Sequence, residues 1–530
     1  MPSSVDIIAA RLFDAGVRQA FGVPGGEVLE LIDALERAGI RFVLARHENA
    51  AGFMAEGAWH ATGAPGVLVA TVGPGMANTV NVTANAEQDR VPLIVLTGRY
   101  DDATTQRYTH QIFDHQAVLR PLVKASFEAR AGACEVMIDK AVRLALDPQP
   151  GPVHVDIPVG VAVADHPAPR HPAIAAAAPV RPAGLDVARA MLAAAQRPLI
   201  VAGLDLLNHE GAARTVRDIA EAHAIPVVTT YKAKGILPED HPLSLGGHGL
   251  SPKSDAIVLP LLAEADMVIC AGYDPIEMRT GWQDPWDPAR AVEFTSVPNR
   301  QAMHAVAQGW ACDPGAGMAA LFEGIAPRPD WGSRIADTRA ALARAFAPGD
   351  GWGPAQAIAT LDRMRPADML TSVDSGAHRI LLSQMWHCAQ PHTLIQSTGL
   401  CTMGCALPLA MGHALASGRR AMAVMGDGCL DMILGELATL RDTGAPVICT
   451  VLNDSSLALI ELKQRRDGKQ NTGVDFGTTR YAEVATAMGL KAYRATDSAG
   501  LKEAFAHALN AEGPVLLEVA IPRRGYDGLI

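Results

Sequence analysis

Short apolar runs alternate with longer amphipathic stretches along almost the whole chain. In the first third, four apolar runs predict strands at residues 19–23, 42–45, 67–71 and 93–96. The stretches between and after them predict helices at residues 26–38, 50–62 and 76–87. Strands that alternate with helices in this way are typical of parallel sheets with helices on both faces. The pattern therefore predicts an α/β fold.

Two loosely patterned regions divide the chain into three parts. They span residues 165–182, which are rich in proline and alanine, and residues 327–354. The middle part resumes the alternation with predicted strands at residues 199–202, 227–230 and 267–271. We therefore predict three consecutive domains, each with a mainly parallel sheet flanked by helices, at residues 1–165, 183–328 and 352–530.

The first and last parts of the chain end alike. Residues 151–158 read Gly-Pro-Val-His-Val-Asp-Ile-Pro, and residues 513–522 read Gly-Pro-Val-Leu-Leu-Glu-Val-Ala-Ile-Pro. Two interpretations stay open at this point. Either two copies of one domain flank the middle domain, or two unrelated buried strands both begin with Gly-Pro.

Composition and charge narrow the class of protein. The 530 residues are 49% hydrophobic and 19% charged, which is a globular composition, and the net charge of −11 disfavours nucleic acid or an anionic membrane as partner. The first ten residues lack the basic flank and apolar run of a signal peptide, and no apolar run is long enough for a membrane span. The eight cysteines form no CxxC pair. We expect a cytoplasmic protein with reduced thiols.

Two aspartates in the last third end neighbouring predicted strands. The strand at residues 421–425 runs into Gly426-Asp427-Gly428, and an amphipathic stretch at residues 430–441 predicts a helix. A second strand, at residues 447–452, ends at Asn453-Asp454-Ser455-Ser456. Because a right-handed parallel crossover places the carboxyl ends of both strands at one edge of the sheet, Asp427 and Asp454 should lie close together.

This pair of carboxylates suggests a metal site. Hard oxygen ligands beside a glycine turn and a helix N-terminus suit a magnesium ion that carries a diphosphate. The alternative is that Asp427 caps a helix and Asp454 forms a turn. Two other polar turns follow apolar runs. Gly376-Ala377-His378 could offer backbone N–H groups to phosphate, and Glu48 opens a predicted helix, where an acid also matches the helix dipole.

The GDG turn with an Asn-Asp turn 26 to 27 positions later resembles the cofactor signature of thiamine diphosphate-dependent enzymes. The resemblance implies that Asp427, Asp454 and the Ser456 carbonyl hold magnesium. The family more often has asparagine at position 454, so the second carboxylate should raise the demand for magnesium. The resemblance also implies a role for each predicted domain. The first domain binds the pyrimidine, the second is the central domain, and the third binds the diphosphate.

The pyrimidine side of the site resembles the same family. Glu48 matches a glutamate that hydrogen-bonds N1′ of the cofactor, and residues 71–78 match a Gly-Pro-Gly turn at the expected distance. In the family the cofactor bridges two subunits, which implies a homodimer or a dimer of dimers. The implied cofactor contacts on the two sides are Glu48, Gly73, Pro74 and Asn78, and then Gly376, Ala377, His378, Met403, Gly426, Asp427, Gly428, Cys429, Asp454, Ser456 and Leu457.

The resemblance covers nearly the whole chain and is closest to acetolactate synthase of the catabolic, flavin-free type. Residues 273–277 and the Asn-Asp-Ser turn at 453–455 resemble that type, and Lys463 stands where the flavin-bearing type has tryptophan. FAD is therefore not expected. Met403 matches the apolar residue that supports the bent cofactor, although an ordinary core methionine is the competing interpretation.

The implied reaction joins two pyruvate molecules to 2-acetolactate with loss of carbon dioxide. Gln111 and Lys124 match positions that steer the 2-oxo acid, and His110 is a candidate proton shuttle because an unperturbed histidine titrates near neutrality. Lys124 could instead be a solvated charge at a domain edge, and His110 a surface histidine in a loop.

Two alternatives to carboligation stay open. Simple decarboxylases of the superfamily carry an acid at the position of Ile460, and Glu461 is its neighbour, so decarboxylation or another thiamine-dependent lyase or acyltransferase reaction is possible. Three residues depart from the catabolic pattern, namely Leu457, Cys401 and His115. A 2-oxo acid other than pyruvate therefore stays open as the substrate. The second alternative is a protein that binds the cofactor without turnover.

Overall fold

The computed structural model describes residues 1–167 and 180–530 and contains three six-stranded sheets. Within each sheet every pair of neighbouring strands is parallel. Most of the predicted linker at residues 165–182 lies outside the described residues. In the described part of the chain, no helix is long and apolar enough to cross a membrane.

The first sheet has the strand order β2-β1-β3-β4-β6-β5. Its strands are β1 Gln19–Val23, β2 Arg41–Leu44, β3 Gly66–Ala70, β4 Leu93–Arg99, β5 Ala125–Glu128 and β6 Val153–Pro158. Its helices are α1 Ser4–Asp14, α2 Leu29–Arg37, α3 Glu48–Thr62, α4 Pro74–Ala77, α5 Val80–Gln88, α6 Asp102–Thr105, α7 His115–Leu119, α8 Cys134–Leu146 and α9 Val159–Ala162.

The middle sheet has the order β12-β11-β10-β7-β8-β9, in which the chain starts at the centre and winds to both edges. Its strands are β7 Pro198–Ala202, β8 Val227–Thr229, β9 Ser244–Gly247, β10 Met267–Ala271, β11 Ala291–Thr295 and β12 Gln308–Ala311. Its helices are α10 Asp186–Ala194, α11 Ala212–His223, α12 Pro252–Glu264, α13 Pro314–Phe322 and α14 Arg334–Ala345.

The third sheet has the order β14-β13-β15-β16-β18-β17. Its strands are β13 Leu370–Val373, β14 Leu394–Gln396, β15 Ala421–Gly426, β16 Val447–Asn453, β17 Lys491–Ala495 and β18 Val515–Ala520. Its helices are α15 Pro354–Met364, α16 Ala377–Met385, α17 Ala406–Ser417, α18 Asp427–Met432, α19 Glu436–Thr443, α20 Ala458–Arg466, α21 Tyr481–Ala487 and α22 Ser498–Asn510. Short 3₁₀ helices span Gly26–Val28, Arg120–Leu122, Leu204–Asn208, Pro275–Glu277, Thr280–Trp282 and Pro288–Arg290.

The first and third sheets have the same strand order when each is counted from its own first strand. The two strands that begin after Gly-Pro, β6 and β18, occupy equivalent places, next to β4 and β16. Almost all residues of β6 and β18 are buried. This burial is expected for parallel strands whose sequences are nearly continuous apolar runs. This equivalence favours the interpretation that two related units flank the middle one.

Three sequence predictions of local structure are wrong, and the first is the single helix at residues 76–87, which is broken into α4 and α5. The helix predicted at residues 430–441 is broken into α18 and α19, and Glu436 at the start of α19 accepts a hydrogen bond from the Arg46 N–H at 3.0 Å. The region at residues 327–354, predicted to be loose, contains helix α14. That helix is held by Trp331, whose Nε1 donates to the Pro198 carbonyl at 3.1 Å, and by Ile335, which is buried in the middle core.

Helices α3 and α17 join the first and third sheets through a close backbone contact. Both helices are buried nearly all round, and both carry a glycine at the crossing point. A Cβ atom at Gly57 would collide with the Leu409 carbonyl, and one at Gly412 would collide with the Met54 carbonyl. Glycine is therefore required at both positions for the two helices to approach.

We expect Gly57→Ala to lower the free energy of unfolding by about 1–3 kcal/mol, because an inserted methyl group must push two packed backbones apart. Chemical denaturation followed by circular dichroism measures this change. Gly351→Ala is the matched control, since a Cβ there meets no atom within 4 Å. Equal stability of the two variants would contradict the close packing.

Candidate active site

A cavity of about 230 Å³ opens at the carboxyl-terminal edge of the third sheet. It is lined by all eleven residues that the sequence predicts on the diphosphate side: Gly376, Ala377, His378, Met403, Gly426, Asp427, Gly428, Cys429, Asp454, Ser456 and Leu457. These residues come from the ends of β13, β15 and β16 and from the segment before α17. Ligands of open α/β sheets bind at this edge.

The two aspartates meet in this cavity. Asp427 begins α18 at the end of β15, and Asp454 directly follows β16, the neighbouring parallel strand. Asp427 Oδ2 accepts hydrogen bonds from the N–H groups of Asp454 at 3.1 Å and Ser455 at 2.5 Å. Asp454 Oδ2 is buried and has no hydrogen-bond partner among the residues that the structure describes. The turn thus holds one carboxylate firmly and leaves an oxygen of the other unsatisfied.

Burial makes this pair of carboxylates costly to ionise. Burial raises the pKa of Asp427 to about 6. Burial, followed by the charge of Asp427, raises the pKa of Asp454 to about 7. A bound divalent cation would favour the ionised form of both groups, because an opposite charge nearby favours a charged carboxylate. The donor set therefore suits a hard cation with oxygen ligands.

Unsatisfied donors beside the GDG turn line the same cavity. His378 Nε2 and Ser375 Oγ are buried and find no partner within residues 1–167 and 180–530. Burial lowers the pKa of His378 to about 3, so that its ring is neutral. Gly376, at φ 152°, leaves room for the His378 ring, whose Cε1 would lie 2.7 Å from a Cβ there. With the N-terminus of α16 these groups could bind phosphate oxygens, so the cavity fits a magnesium diphosphate.

The predicted residues of the first sheet form a separate cluster. Glu48 is the first residue of α3, is 6% exposed, and accepts a hydrogen bond from Asn78 Nδ2 at 2.9 Å. Gly75, in the loop that also holds Gly73 and Pro74, lies against this acid, because a Cβ there would be 3.3 Å from Glu48 Oε1. None of these residues lines the cavity of the third sheet.

The three predicted substrate residues lie apart from that cavity as well. Gln111 has a positive φ of 60°, and its carbonyl would collide with a Cβ at Gly73, so it lies beside the Gly-Pro-Gly turn. His110 is exposed, and its ring is 6.0 Å from that of Tyr108. Lys124 Nζ donates to the carbonyls of Asp147 at 3.3 Å and Gln149 at 3.1 Å. Their roles in substrate binding stay predictions.

Several cavity residues have no counterpart in the sequence analysis. Arg379 follows His378 on α16, Arg279 comes from the middle part of the chain, and Tyr526 comes from the segment after β18. Arg379 could have been noticed as a charge in an otherwise apolar helix. Arg279 and Tyr526 have no local signal, because only the tertiary fold brings them to this edge of the third sheet.

Three family models match the chain in the order of its sheets. Residues 3–118 match the N-terminal TPP binding domain of thiamine pyrophosphate enzymes, residues 185–321 match their central domain, and residues 374–519 match their C-terminal TPP binding domain. Thiamine pyrophosphate is another name for thiamine diphosphate. The first and third matches contain the Glu48 cluster and the cavity.

Full-length relatives extend this assignment. The acetolactate synthase isozyme 1 large subunit of Escherichia coli (strain K12) is 30% identical over 98% of this chain and 94% of its own length. The acetolactate synthase of Bacillus subtilis (strain 168) is 28% identical over 97% of this chain and 92% of its own length. The mitochondrial catalytic subunit of acetolactate synthase from Saccharomyces cerevisiae is 28% identical over 96% of this chain and 79% of its own length. The chain belongs to the thiamine pyrophosphate-dependent enzymes, as an acetolactate synthase-like member of that family.

Proposed function

We propose that the protein binds magnesium with thiamine diphosphate and converts two molecules of pyruvate to 2-acetolactate and carbon dioxide. The observation that carries this proposal is the single cavity that holds a buried carboxylate pair and unsatisfied hydrogen-bond donors. Within the described part of the chain, Asp454 Oδ2, Ser375 Oγ and His378 Nε2 have no hydrogen-bond partner, and a magnesium diphosphate would satisfy all three.

Different residues around the cavity would bind different parts of the cofactor. Asp427, Asp454 and the Ser456 carbonyl would bind the metal, while Ser375, His378 and the first N–H groups of α16 would bind the diphosphate. Met403 lines the same cavity and packs against the large core between the first and third sheets. When bound, the cofactor supplies an electron sink for the bond that breaks as carbon dioxide leaves.

The active unit that we propose contains two subunits. Glu48 lies at the edge of the first sheet, away from the lining of the cavity in the same chain. Because the acid and the metal site must both reach one cofactor, a second copy of the chain would supply Glu48. Gln111, His110 and Lys124 would then approach the substrate from that second copy as well.

The wall around Ile460 favours carboligation over simple decarboxylation. Ile460 lines the cavity and is 43% exposed. Glu461, the residue that could have supplied an acid, is buried in ion pairs with Arg465 at 2.8 Å and Arg524 at 3.1 Å. An apolar wall without an acid would protect the reactive carbon from protonation until the acceptor arrives.

We also propose that the reaction needs no flavin. The segment that differs from the flavin-bearing type lines a cavity of about 470 Å³, and in this chain it also makes packing and interdomain contacts. The ring of Tyr273 packs edge-on against Trp286 and His304, and Asp274 forms an ion pair with Arg90 at 2.8 Å.

Product analysis tests the proposed function. The protein is stripped of cofactor and then incubated with thiamine diphosphate, magnesium and a panel of 2-oxo acids, and the products are identified by mass. We expect acetolactate from pyruvate. Carbon dioxide without acetolactate would make the protein a decarboxylase, and no turnover with any 2-oxo acid would favour the binding-only alternative.

Magnesium-dependent binding of the cofactor should weaken as the pH falls below about 7. The folded-state pKa of Asp454 is raised to about 7 in the metal-free protein, so this carboxylate becomes protonated below that pH, and protons compete with the metal. Isothermal titration between pH 5.5 and 8 measures the effect. Asp454→Asn should flatten the pH dependence, and an equally steep dependence in that variant would contradict the assignment.

A further inference from the structure

Helix α5 and the residue that follows it carry three polar side chains at helical spacing. Asn81, Asn85 and Asp89 are four positions apart, so they lie along one face of the helix. All three accept hydrogen bonds from one irregular segment between β14 and α17, residues 397–403, here called the support segment. A helix of the first sheet therefore holds a segment of the third.

Asp89 makes most of these contacts. Its Oδ1 accepts hydrogen bonds from the N–H groups of Thr398 at 3.1 Å and Gly399 at 2.9 Å, and from the Thr398 hydroxyl at 3.0 Å. The two backbones also approach closely, because a Cβ atom at Gly399 would lie 2.6 Å from the Cβ of Gln88. One carboxylate thus fixes two successive peptide groups of the support segment.

Asparagines on α5 hold the rest of the support segment. Asn85 Oδ1 accepts from the Ser397 hydroxyl at 2.5 Å, and that hydroxyl accepts from the Thr402 N–H at 3.1 Å. The Thr402 hydroxyl donates to Asn81 Oδ1 at 3.1 Å. Cys401 has a positive φ of 56°, which residues with a side chain rarely adopt. External hydrogen bonds stabilise this unusual backbone.

A buried ion pair supports Asp89. The Nζ of Lys232, from the middle part of the chain, lies 3.1 Å from Asp89 Oδ1, and both side chains are buried. Burial by itself would raise the pKa of Asp89, but the charge of Lys232 and the hydrogen bond from the Gly399 N–H bring this pKa below its ordinary value. An ionised carboxylate accepts hydrogen bonds more strongly than a neutral group does.

The support segment ends in the candidate active site. Met403 lines the cavity, and its Cε would lie 3.7 Å from a Cβ atom at Gly428 of the GDG turn. Directly after Met403, the Gly404 N–H donates to Asp374 Oδ1 at 2.9 Å. The backbone on both sides of Met403 is therefore held by a buried aspartate, Asp89 before it and Asp374 after it.

We propose that Asp89 is a positioning residue that fixes Met403 in place for the cofactor. This inference rests on the proposed function, in which Met403 would support the bent cofactor. Asp89 acts through the backbone of the support segment and touches neither cofactor nor substrate. Because small errors in position are costly for catalysis, loss of the Asp89 acceptor should slow the chemistry and spare binding at the Asp427 end of the cavity.

Two double variants isolate the acceptor at position 89. Asp89→Ala/Lys232→Met and Asp89→Asn/Lys232→Met both lack the buried ion pair, so neither retains one charge of the pair without the other. They differ in whether an oxygen at position 89 can accept hydrogen bonds from the support segment, since asparagine keeps a carbonyl oxygen. Melting curves identify a variant that fails to fold.

Amide hydrogen exchange of the cofactor-free protein measures the hold on the support segment. Mass spectrometry of peptides that cover residues 397–403 should show exchange about tenfold or more faster in Asp89→Ala/Lys232→Met than in Asp89→Asn/Lys232→Met, because protection follows the free energy of local opening. Equal exchange in the two variants would mean that Asp89 does not fix the segment, and the proposal would be wrong.

Exchange of the cofactor C2 proton then tests the consequence for catalysis. Loaded with magnesium and thiamine diphosphate, Asp89→Ala/Lys232→Met should exchange this proton about tenfold or more slowly than Asp89→Asn/Lys232→Met, and its kcat with pyruvate should fall at a similar KM. A loosened segment with equal C2 exchange would leave Asp89 a purely structural residue and overturn the proposal.

C2 exchange needs no 2-oxo acid, so the two proposals can fail separately. If C2 exchange depends on the acceptor at position 89 but the unmodified protein makes no acetolactate, the proposed function fails and the positioning role stands. Ser397→Ala carries the test if Asp89→Ala/Lys232→Met does not fold, because it removes the hydroxyl that joins Asn85 to the Thr402 N–H. It should loosen the support segment and slow C2 exchange, and unchanged C2 exchange would contradict the proposal.

Discussion

Replacing Glu48 by glutamine should slow exchange of the cofactor C2 proton by about 10²- to 10⁴-fold, the usual contribution of a positioned acid or base. The Glu48 carboxylate is buried and held by Asn78, so it is fixed in place to polarise a pyrimidine nitrogen. Glutamine preserves the shape of the side chain but cannot gain or lose a proton at neutral pH. Deuterium exchange, quenched in acid and measured by NMR, gives the rate.

Magnesium binding should be nearly unchanged in this variant, because Glu48 does not belong to the proposed metal site. Glu56→Gln is the matched control on the same helix. Burial raises the pKa of Glu56 and favours its protonated form, whose shape and charge glutamine keeps. Normal exchange in Glu48→Gln would remove this residue from the mechanism.

Replacing Asp427 by alanine should weaken magnesium-dependent cofactor binding by more than about 100-fold. Loss of a hydrogen-bond partner of a metal ligand already costs 10- to 100-fold in such sites, and Asp427 would itself be a ligand. Its carboxylate also fixes the turn that presents Asp454, through hydrogen bonds from the Asp454 and Ser455 N–H groups. Isothermal titration of thiamine diphosphate with and without magnesium measures the loss.

Asp454→Asn is the control for this second variant. It keeps an oxygen ligand and removes one charge, so it should bind the cofactor within about tenfold of the unmodified protein, whereas the loss of a ligand is far larger. A melting curve for each variant separates lost binding from lost folding. If Asp427→Ala binds the cofactor as tightly as Asp454→Asn does, the carboxylate pair does not hold the metal.

Sequence patterns predict the elements of this fold where apolar runs are short and bounded by turn residues. The strands Gln19–Val23 and Met267–Ala271 begin and end where the pattern places them. The break between α18 and α19 was not predicted from the amphipathic pattern, and α19 begins at Glu436, which contacts Arg46, a residue far away in sequence. Tertiary contacts override local periodicity at this position.

The residues of the candidate site also differ in whether the sequence could predict them. Asp427 and Asp454 could be placed together from sequence, because parallel crossovers leave little freedom in where the strands end. The approach of Arg279 to the cavity could not be foreseen, since this residue comes from the middle part of the chain. Tyr526 reaches the cavity only through the course of the segment after β18.

Mixing two inactive variants tests the central claim most directly. If the site combines Glu48 of one subunit with Asp427 of another, equal amounts of Glu48→Gln and Asp427→Ala subunits, allowed to exchange, form mixed dimers with one intact site each. Acetolactate formation should then recover to about a quarter of the unmodified rate, since half of the dimers are mixed and each has one of two sites intact. No recovery after verified subunit exchange would contradict a site shared between subunits.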